Sequence, residues 1–190
     1  MTPYDRIVDW YCRHRRPEVG AAEVLALAAR LPTGAHVLDL GCGDGIPVTR
    51  ILRGAGCAVE GLDGSRVMLT RYRARFPDAP TTHVRLEDAD FPDASYDAVV
   101  AWGVLFHLEA EAQRALLARL ADWLVPGGWL LFTAAAEAGA RVGEMAGETF
   151  RYVSLGRGGY RATLAGASLR LVHDYGDPDE NWVYLAQRVG

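Results

Sequence analysis

Residues 37–45 read VLDLGCGDG, an apolar stretch that contains Asp39 and runs into three glycines at alternate positions. A tight turn needs one or two glycines, whereas three of them without Cβ atoms let a ligand rest against the main chain. In an open α/β sheet, ligands bind beyond the carboxyl ends of the strands, where a strand meets its helix. The stretch therefore predicts a strand and a ligand-binding turn formed by Gly41, Gly43 and Gly45.

Short apolar runs alternate with helical patterns along the chain. Seven runs have the length and the Val/Leu content of strands: AHVLDL, CAVEGLD, THVRLE, YDAVVAW, GWLLFTA, LRLVHDY and WVYLAQRV. Helical patterns separate the early runs, which predicts a Rossmann-like α/β fold with a seven-stranded, mostly parallel sheet and helices on both faces. The loop GDPDEN is too short for a crossover helix, so the last two strands are predicted to form an antiparallel pair.

The length of 190 residues predicts one domain over residues 1–190. Two helices are expected before the first strand, around residues 3–16 and 18–31. The segment 134–167 carries seven glycines and no clear periodicity. We therefore expect an irregular cap segment there.

Composition restricts the class of protein. Half of the residues are hydrophobic and the net charge is −4, which predicts a packed core and argues against nucleic acid as a partner. The three cysteines share no CxxC spacing, so neither a disulfide framework nor a zinc site is expected. No apolar run resembles a signal peptide or reaches bilayer length, which predicts a cytoplasmic protein without membrane contact. Nothing in the composition indicates the oligomeric state.

A second strand-end carboxylate points to the kind of ligand. The glycine motif is GxGxG followed by Ile46 and Pro47, and it lacks the GxGxxG spacing of dinucleotide folds. Asp63 ends the next predicted strand, at about the separation expected for a carboxylate that binds ribose. One carboxylate can accept hydrogen bonds from both ribose hydroxyls. The sequence therefore predicts a nucleoside ligand.

At this point the chain resembles a known family. DLGCGDG, LDGS, the stretch HVRLEDADFPDASYDAVVAWGVLFHL and LVPGGWLLF together look like a class I S-adenosylmethionine-dependent methyltransferase, over residues 35–133. The tail, with YRATL, GDPDEN and WVYLAQR, is similar to that of small, uncharacterised bacterial members. The resemblance implies S-adenosylmethionine as cofactor and S-adenosylhomocysteine as product.

The resemblance also implies roles for individual residues in binding the cofactor. Asp39 and the main chain of Gly41 and Gly43 would hold its methionine portion, and Gly45 would open the following helix. Asp63 would bind the ribose, and the other implied positions flank the adenine or the sulfonium. These other positions are Gly64, Met68, Glu87, Asp88, Trp102 and Gly103, with the choice between Glu87 and Asp88 for the adenine edge left open.

Candidates for catalysis and for acceptor binding are less specific. His107 is the candidate general base because imidazole titrates near neutrality, although a histidine at a helix start can also simply bond the loop backbone. The N-terminal helices of residues 1–31 are expected to lie over the site. Substrate-contacting residues are expected there and in the cap segment: Tyr4, Tyr11, His14, Tyr152 and Tyr160. The acids around His173 are expected to form turns, so no metal is predicted.

The sequence thus predicts a methyltransferase that acts on a small-molecule acceptor, at oxygen or nitrogen, by direct in-line transfer. A nicotinamide-dependent oxidoreductase would need the third glycine displaced by one residue. A nucleic-acid methyltransferase would need a basic face or an aromatic slot after the fourth strand for a flipped base. An Asn/Asp-Pro-Pro-aromatic motif belongs there in enzymes that methylate base amino groups, and AWGVLF is not one. A protein that binds S-adenosylmethionine without catalysis stays open, because fold does not dictate function.

Overall fold

The computed structural model describes residues 2–190 as a sheet layered between helices. The helices are α1 Pro3–His14, α2 Ala21–Ala28, α3 Val48–Gly54, α4 Arg66–Arg75, α5 Ala110–Trp123 and α6 Gly156–Gly166. The strands are β1 His36–Leu40, β2 Ala58–Asp63, β3 Thr81–His83, β4 Tyr96–Ala101, β5 Leu124–Ala134, β6 Ala138–Met145, β7 Glu148–Leu155, β8 Leu169–Gly176 and β9 Trp182–Arg188. Short 3-10 turns cover Leu86–Asp88 and Leu105–His107. None of the helices among these residues is long and apolar enough to span a bilayer.

The main sheet has seven strands in the order β3-β2-β1-β4-β5-β9-β8. The first five are parallel, and β9 is antiparallel to both β5 and β8. The predicted fold class is confirmed, including the antiparallel pair at the C-terminus. Since the strand order reverses beside β1, the carboxyl ends of β1 and β4 open into a crevice where such sheets bind ligands.

Neighbouring residues of β1 bury their side chains on opposite faces of the sheet, as the pleat requires. Leu38 and Leu40 belong to the apolar cluster that includes Leu116 of α5. Val37 belongs to the cluster on the other face, with Val24 of α2 and further residues of α3. Helices therefore cover both faces, and this explains why the strand is apolar almost throughout.

The prediction of an irregular segment over residues 134–167 is wrong. Strands β6 and β7 form a regular antiparallel hairpin beside the main sheet, and α6 follows it. The hairpin turns at Ala146 and Gly147, which both have positive φ, at +51° and +81°. Such a two-residue turn matches the twist of the strands. Strand β7 buries Phe150, Val153 and Leu155, which do not follow a strict alternation, so its period-2 pattern in the sequence is weak.

Candidate functional site

The three glycines after β1 serve different purposes. A Cβ atom on Gly41 would lie 2.4 Å from Val104, and one on Gly45 would lie 2.4 Å from the ring of Phe76. These two glycines are needed because the neighbouring side chains pack directly against the turn. Gly43 has a φ of +55°, and a Cβ there would have no heavy atom closer than 4.0 Å. The main chain at Gly43 is therefore open to a ligand.

Asp63, the last residue of β2, is joined to the glycine turn by hydrogen bonds. Its Oδ2 accepts a hydrogen bond from the main-chain N–H of Gly43 at 2.9 Å, and its Oδ1 accepts one from Ser65 at 2.7 Å. Burial raises the pKa of this carboxyl above its ordinary value. A carboxylate has about four lone-pair positions, so Asp63 keeps acceptor capacity for a ligand.

A cavity of about 400 Å³ lies over the glycine turn at the carboxyl ends of the strands. It is lined by many of the residues expected from the sequence: Tyr4, Tyr11, Gly41, Gly43, Asp63, Gly64, Met68, Glu87, Trp102, Gly103 and His107. The fold thus brings together residues from α1, from the loops after β1, β2 and β4, and from the turn after β3. Glu87 lies at the cavity, whereas Asp88 is exposed and does not line it. The geometry favours Glu87 of the two acids.

Asp39 and Gly45 lie beneath the cavity wall. Asp39 is 2% exposed and accepts a hydrogen bond from the hydroxyl of Thr49 at 2.7 Å. Burial raises the pKa of Asp39 to about 7. The hydrogen bond thus joins the end of β1 to α3, and a direct contact of Asp39 with a ligand stays a prediction.

Three of the expected substrate residues lie outside this cavity. His14 is exposed, stacks on Trp10 and bonds its main-chain oxygen at 2.8 Å. Tyr160 is fully buried, and its hydroxyl donates to Gln113 at 2.5 Å. These positions argue against a substrate contact by either residue, since one faces outward and the other is core. Tyr152 lines a separate cavity beside the first.

Helix α1 covers the first cavity and is held by polar contacts along its length. Asp5 accepts a hydrogen bond from Ser65 at the start of α4. Arg6 pairs with Glu148 of the hairpin at 2.5 Å. Beyond the end of the helix, Arg15 pairs with the fully buried Asp44 of the glycine turn. Helix α2 contributes no residue to this cavity and packs into the core.

His107 lines the cavity from the end of the short turn Leu105–His107. Its Nε2 lies 3.1 Å from the hydroxyl of Tyr4 on α1. Its ring also contacts the aromatic rings of Phe150 and Tyr152 of the hairpin. Burial lowers the pKa of His107 to about 4, although a hydrogen bond with the main chain of Arg151 opposes this shift. The imidazole is therefore neutral at pH 7. Its role as a general base stays a prediction.

The buried imidazole predicts a dependence of stability on pH. The pKa of His107 is lower in the folded protein than its ordinary value of 6.5, so the unfolded chain takes up the proton first as the pH falls. We expect wild type to lose about 2–3 kcal/mol more stability than His107→Gln between pH 7 and pH 4.5. Urea unfolding of both proteins at both pH values measures this difference. Equal losses of stability in the two proteins would contradict the lowered pKa of His107.

Sequence reasoning missed several residues that line the cavity. They are Thr2, Pro3, Arg85, Leu86, Val104, Leu108, Thr149, Phe150 and Arg151. The last three belong to β7, which was not recognised as a strand. The sequence signal for this strand is its content of aromatic and β-branched residues, Thr149, Phe150, Tyr152 and Val153. Among residues 2–190, no three metal-ligating side chains lie close enough together to hold an ion.

The sheet order and the glycine turn define a Rossmann-like α/β protein with its cleft at the strand ends. Residues 12–170 match a family model described as a methyltransferase domain, and the chain belongs to this family. The match confirms the resemblance found in the sequence.

Individual relatives extend this comparison. An uncharacterized methyltransferase of Mycobacterium tuberculosis is 38% identical over 107 residues, which cover 55% of this chain and 53% of the relative. A tRNA U34 carboxymethyltransferase of Azotobacter vinelandii is 33% identical over 103 residues, covering 52% of this chain and 32% of the relative. The chain thus spans about half the length, or less, of the curated relatives it matches.

A solved structure shows the same fold over the whole chain. The SAM-bound amino pentose methyltransferase of Micromonospora echinaspora superposes with a TM-score of 0.74 at 20% identity. The superposition covers 100% of this chain and 98% of that one.

Proposed function

We propose that this protein is an S-adenosylmethionine-dependent methyltransferase that acts on a small-molecule acceptor at oxygen or nitrogen. The observation that carries the proposal is the half-buried carboxylate of Asp63. It is bonded to the open main chain of Gly43 and faces a cavity of nucleoside size. Membership of the methyltransferase domain family and the SAM-bound structural neighbour support the choice of cofactor.

The residues present fit this cofactor. Asp63 would accept hydrogen bonds from the ribose hydroxyls, and the open main chain at Gly43 would lie against the methionine portion. Gly64, Met68 and Glu87 line the side where the adenine would bind. Trp102 and Gly103, at the end of β4, would flank the sulfonium.

Bound S-adenosylmethionine would supply a methyl group already activated by the sulfonium. The protein itself has to position the acceptor and exclude water. Helix α1, held against Ser65, Glu148 and Asp44, closes one side of the cavity against solvent. His107 is the candidate base for an acceptor hydroxyl or ammonium, but with Tyr4 against Nε2 its lowered pKa makes it a weak one, so an opening at Tyr4 that rehydrates the ring is required for this role.

The choice of a small-molecule acceptor rests on charge and on the short match to the tRNA-modifying relative. The chain has a net charge of −4, whereas a protein that binds tRNA is expected to carry a basic face. The segment that matches the tRNA-modifying relative covers only 32% of that protein. A protein that binds the cofactor without catalysis has the same cavity, and only turnover distinguishes it from an enzyme.

Thermal unfolding with added ligands tests the cofactor. A ligand at 100 times its dissociation constant stabilises the folded state by about 2.7 kcal/mol. For a chain of this size we expect S-adenosylmethionine and S-adenosylhomocysteine each to raise the Tm by roughly 5–10 °C. NAD serves as the matched control, because it shares the adenosine but needs a pyrophosphate site. A rise with NAD alone would overturn our interpretation of the glycine turn, and no rise with any ligand would refute cofactor binding.

A further inference from the structure

A second cavity, of about 350 Å³, lies beside the first. It is enclosed by the end of β5, the hairpin β6–β7, the loop before β9 and the ring of Phe106. Of the site residues predicted from the sequence, Tyr152 lines this cavity. Its position next to the first cavity raises the question of which ligand it accepts.

The two cavities adjoin at Gly103. The main-chain N–H of Gly103, which lines the first cavity, donates to Oγ1 of Thr133 at 2.8 Å, and Thr133 lines the second. A Cβ atom on Gly103 would meet no heavy atom within 4 Å, so no side chain packs against this part of the shared wall. The ring of His107, which lines the first cavity, lies near the ring of Tyr152, which lines the second, and their centroids are 5.3 Å apart. A molecule in the second cavity would therefore lie next to the expected position of the sulfonium.

Most uncharged polar groups that line the second cavity already form hydrogen bonds with other protein groups. Ser154 Oγ donates to the main chain of Ala135 at 2.8 Å and accepts from Gly156 at 3.0 Å. The side-chain amide of Asn181 donates to Asp177 at 2.8 Å. These groups shape the walls of the cavity and leave recognition to its charged side chains.

Three charged side chains line the cavity: Glu137, Arg141 and Glu180. Within residues 2–190, none of the three forms an ion pair. The guanidinium of Arg141 lies over the ring of Tyr152, 5.4 Å from its centroid, so it already interacts with the π face. The two carboxylates keep their full hydrogen-bonding capacity, and the cavity carries a net charge of −1.

We propose that the second cavity binds the methyl acceptor and selects a molecule that carries a protonated amine beside a planar ring. The ring would lie against Phe106 and Tyr152, and the ammonium would be held by Glu137 and Glu180. This inference rests on the proposed function, because the acceptor has to meet the cofactor across Gly103. It concerns recognition of the acceptor, and the methylated atom can be a different group of the same molecule.

The test uses the ¹⁵N-labelled full chain with S-adenosylhomocysteine and two probes of nearly equal size. Tyramine carries an ammonium, and 4-hydroxyphenylacetate carries a carboxylate at the matching position. We expect tyramine to shift the amide resonances of Glu137, Arg141 and Asn181, and to bind at least tenfold more tightly than the acid. The double variant Glu137→Gln/Glu180→Gln should weaken tyramine binding about three- to tenfold, as expected for exposed charge pairs.

Glu144→Gln is the control variant, because it removes an exposed acid from the same hairpin outside the cavity. It should leave tyramine binding unchanged. Equal or tighter binding of the acid would overturn the amine assignment, as would unchanged binding of tyramine in the double variant. No shift with either probe would show that the cavity is not a ligand site. Failure of the cofactor proposal is detected separately: the amide resonances of Gly43 and Asp63 would then stay unchanged when S-adenosylhomocysteine is added. In that case the two probes can be titrated without S-adenosylhomocysteine.

Discussion

Asp63→Ala should weaken the binding of S-adenosylhomocysteine by about 10- to 150-fold. The substitution removes the carboxylate that would accept the ribose hydroxyls, and hydrogen bonds to a charged group contribute about 1.5–3 kcal/mol. It also removes the acceptors for the main-chain N–H groups of Gly43 and Ser65, which hold the turn open to the cavity. Isothermal titration calorimetry of wild type and variant measures the change in affinity.

Asp88→Ala is the matched control for this experiment. Asp88 is an acid that the sequence also placed near the cofactor, but it is exposed and lies outside the cavity. We expect its substitution to leave the affinity unchanged. Unchanged affinity in Asp63→Ala would show that the ribose assignment is wrong. An equal loss in both variants would indicate a general effect of negative charge.

Arg15→Met should lower the free energy of unfolding by about 3 kcal/mol and the Tm by roughly 10 °C. The side chain of Asp44 has no exposed surface, and Arg15 is one of the two cations that pair with it. Removal of one partner from a buried ion pair typically costs about 3–5 kcal/mol, because a charge stays buried without full compensation. Arg75 still pairs with Asp44 at 3.2 Å, which favours the lower end of this range. Urea unfolding and thermal melts of the unliganded protein measure the loss.

Arg16→Met is the comparison for this variant. Arg16 is the next residue and pairs with Asp179 at 2.5 Å, but its side chain is 60% exposed. Surface pairs contribute between 0 and about 1 kcal/mol, so the loss in this variant should stay within that range. If both variants lose a similar free energy of unfolding, the ion pair between Arg15 and Asp44 does not hold the N-terminal segment against the glycine turn.

The local sequence was sufficient to predict the framework of the fold. Strands such as β1 are apolar on both faces, and the glycines mark the turn. Asp63 could be placed at the cavity because the carboxyl ends of parallel strands meet at one edge of the sheet. These features depend on residues close together in the chain, so the pattern of one short segment is enough to predict each of them.

Contacts between segments that are distant in the chain decided which residues line the two cavities and how deeply they are buried. The orientation of the turn after β3 selects Glu87 over Asp88 for the cavity, although the two acids are adjacent in the chain. His107 lies between α1 and the hairpin, and it is this burial that lowers its pKa to about 4. The second cavity exists only because β6 and β7 pair beside the end of β5. Burial and charge pairing depend on which segments meet in three dimensions, and residues such as Tyr4 and His107 lie more than a hundred positions apart in the chain.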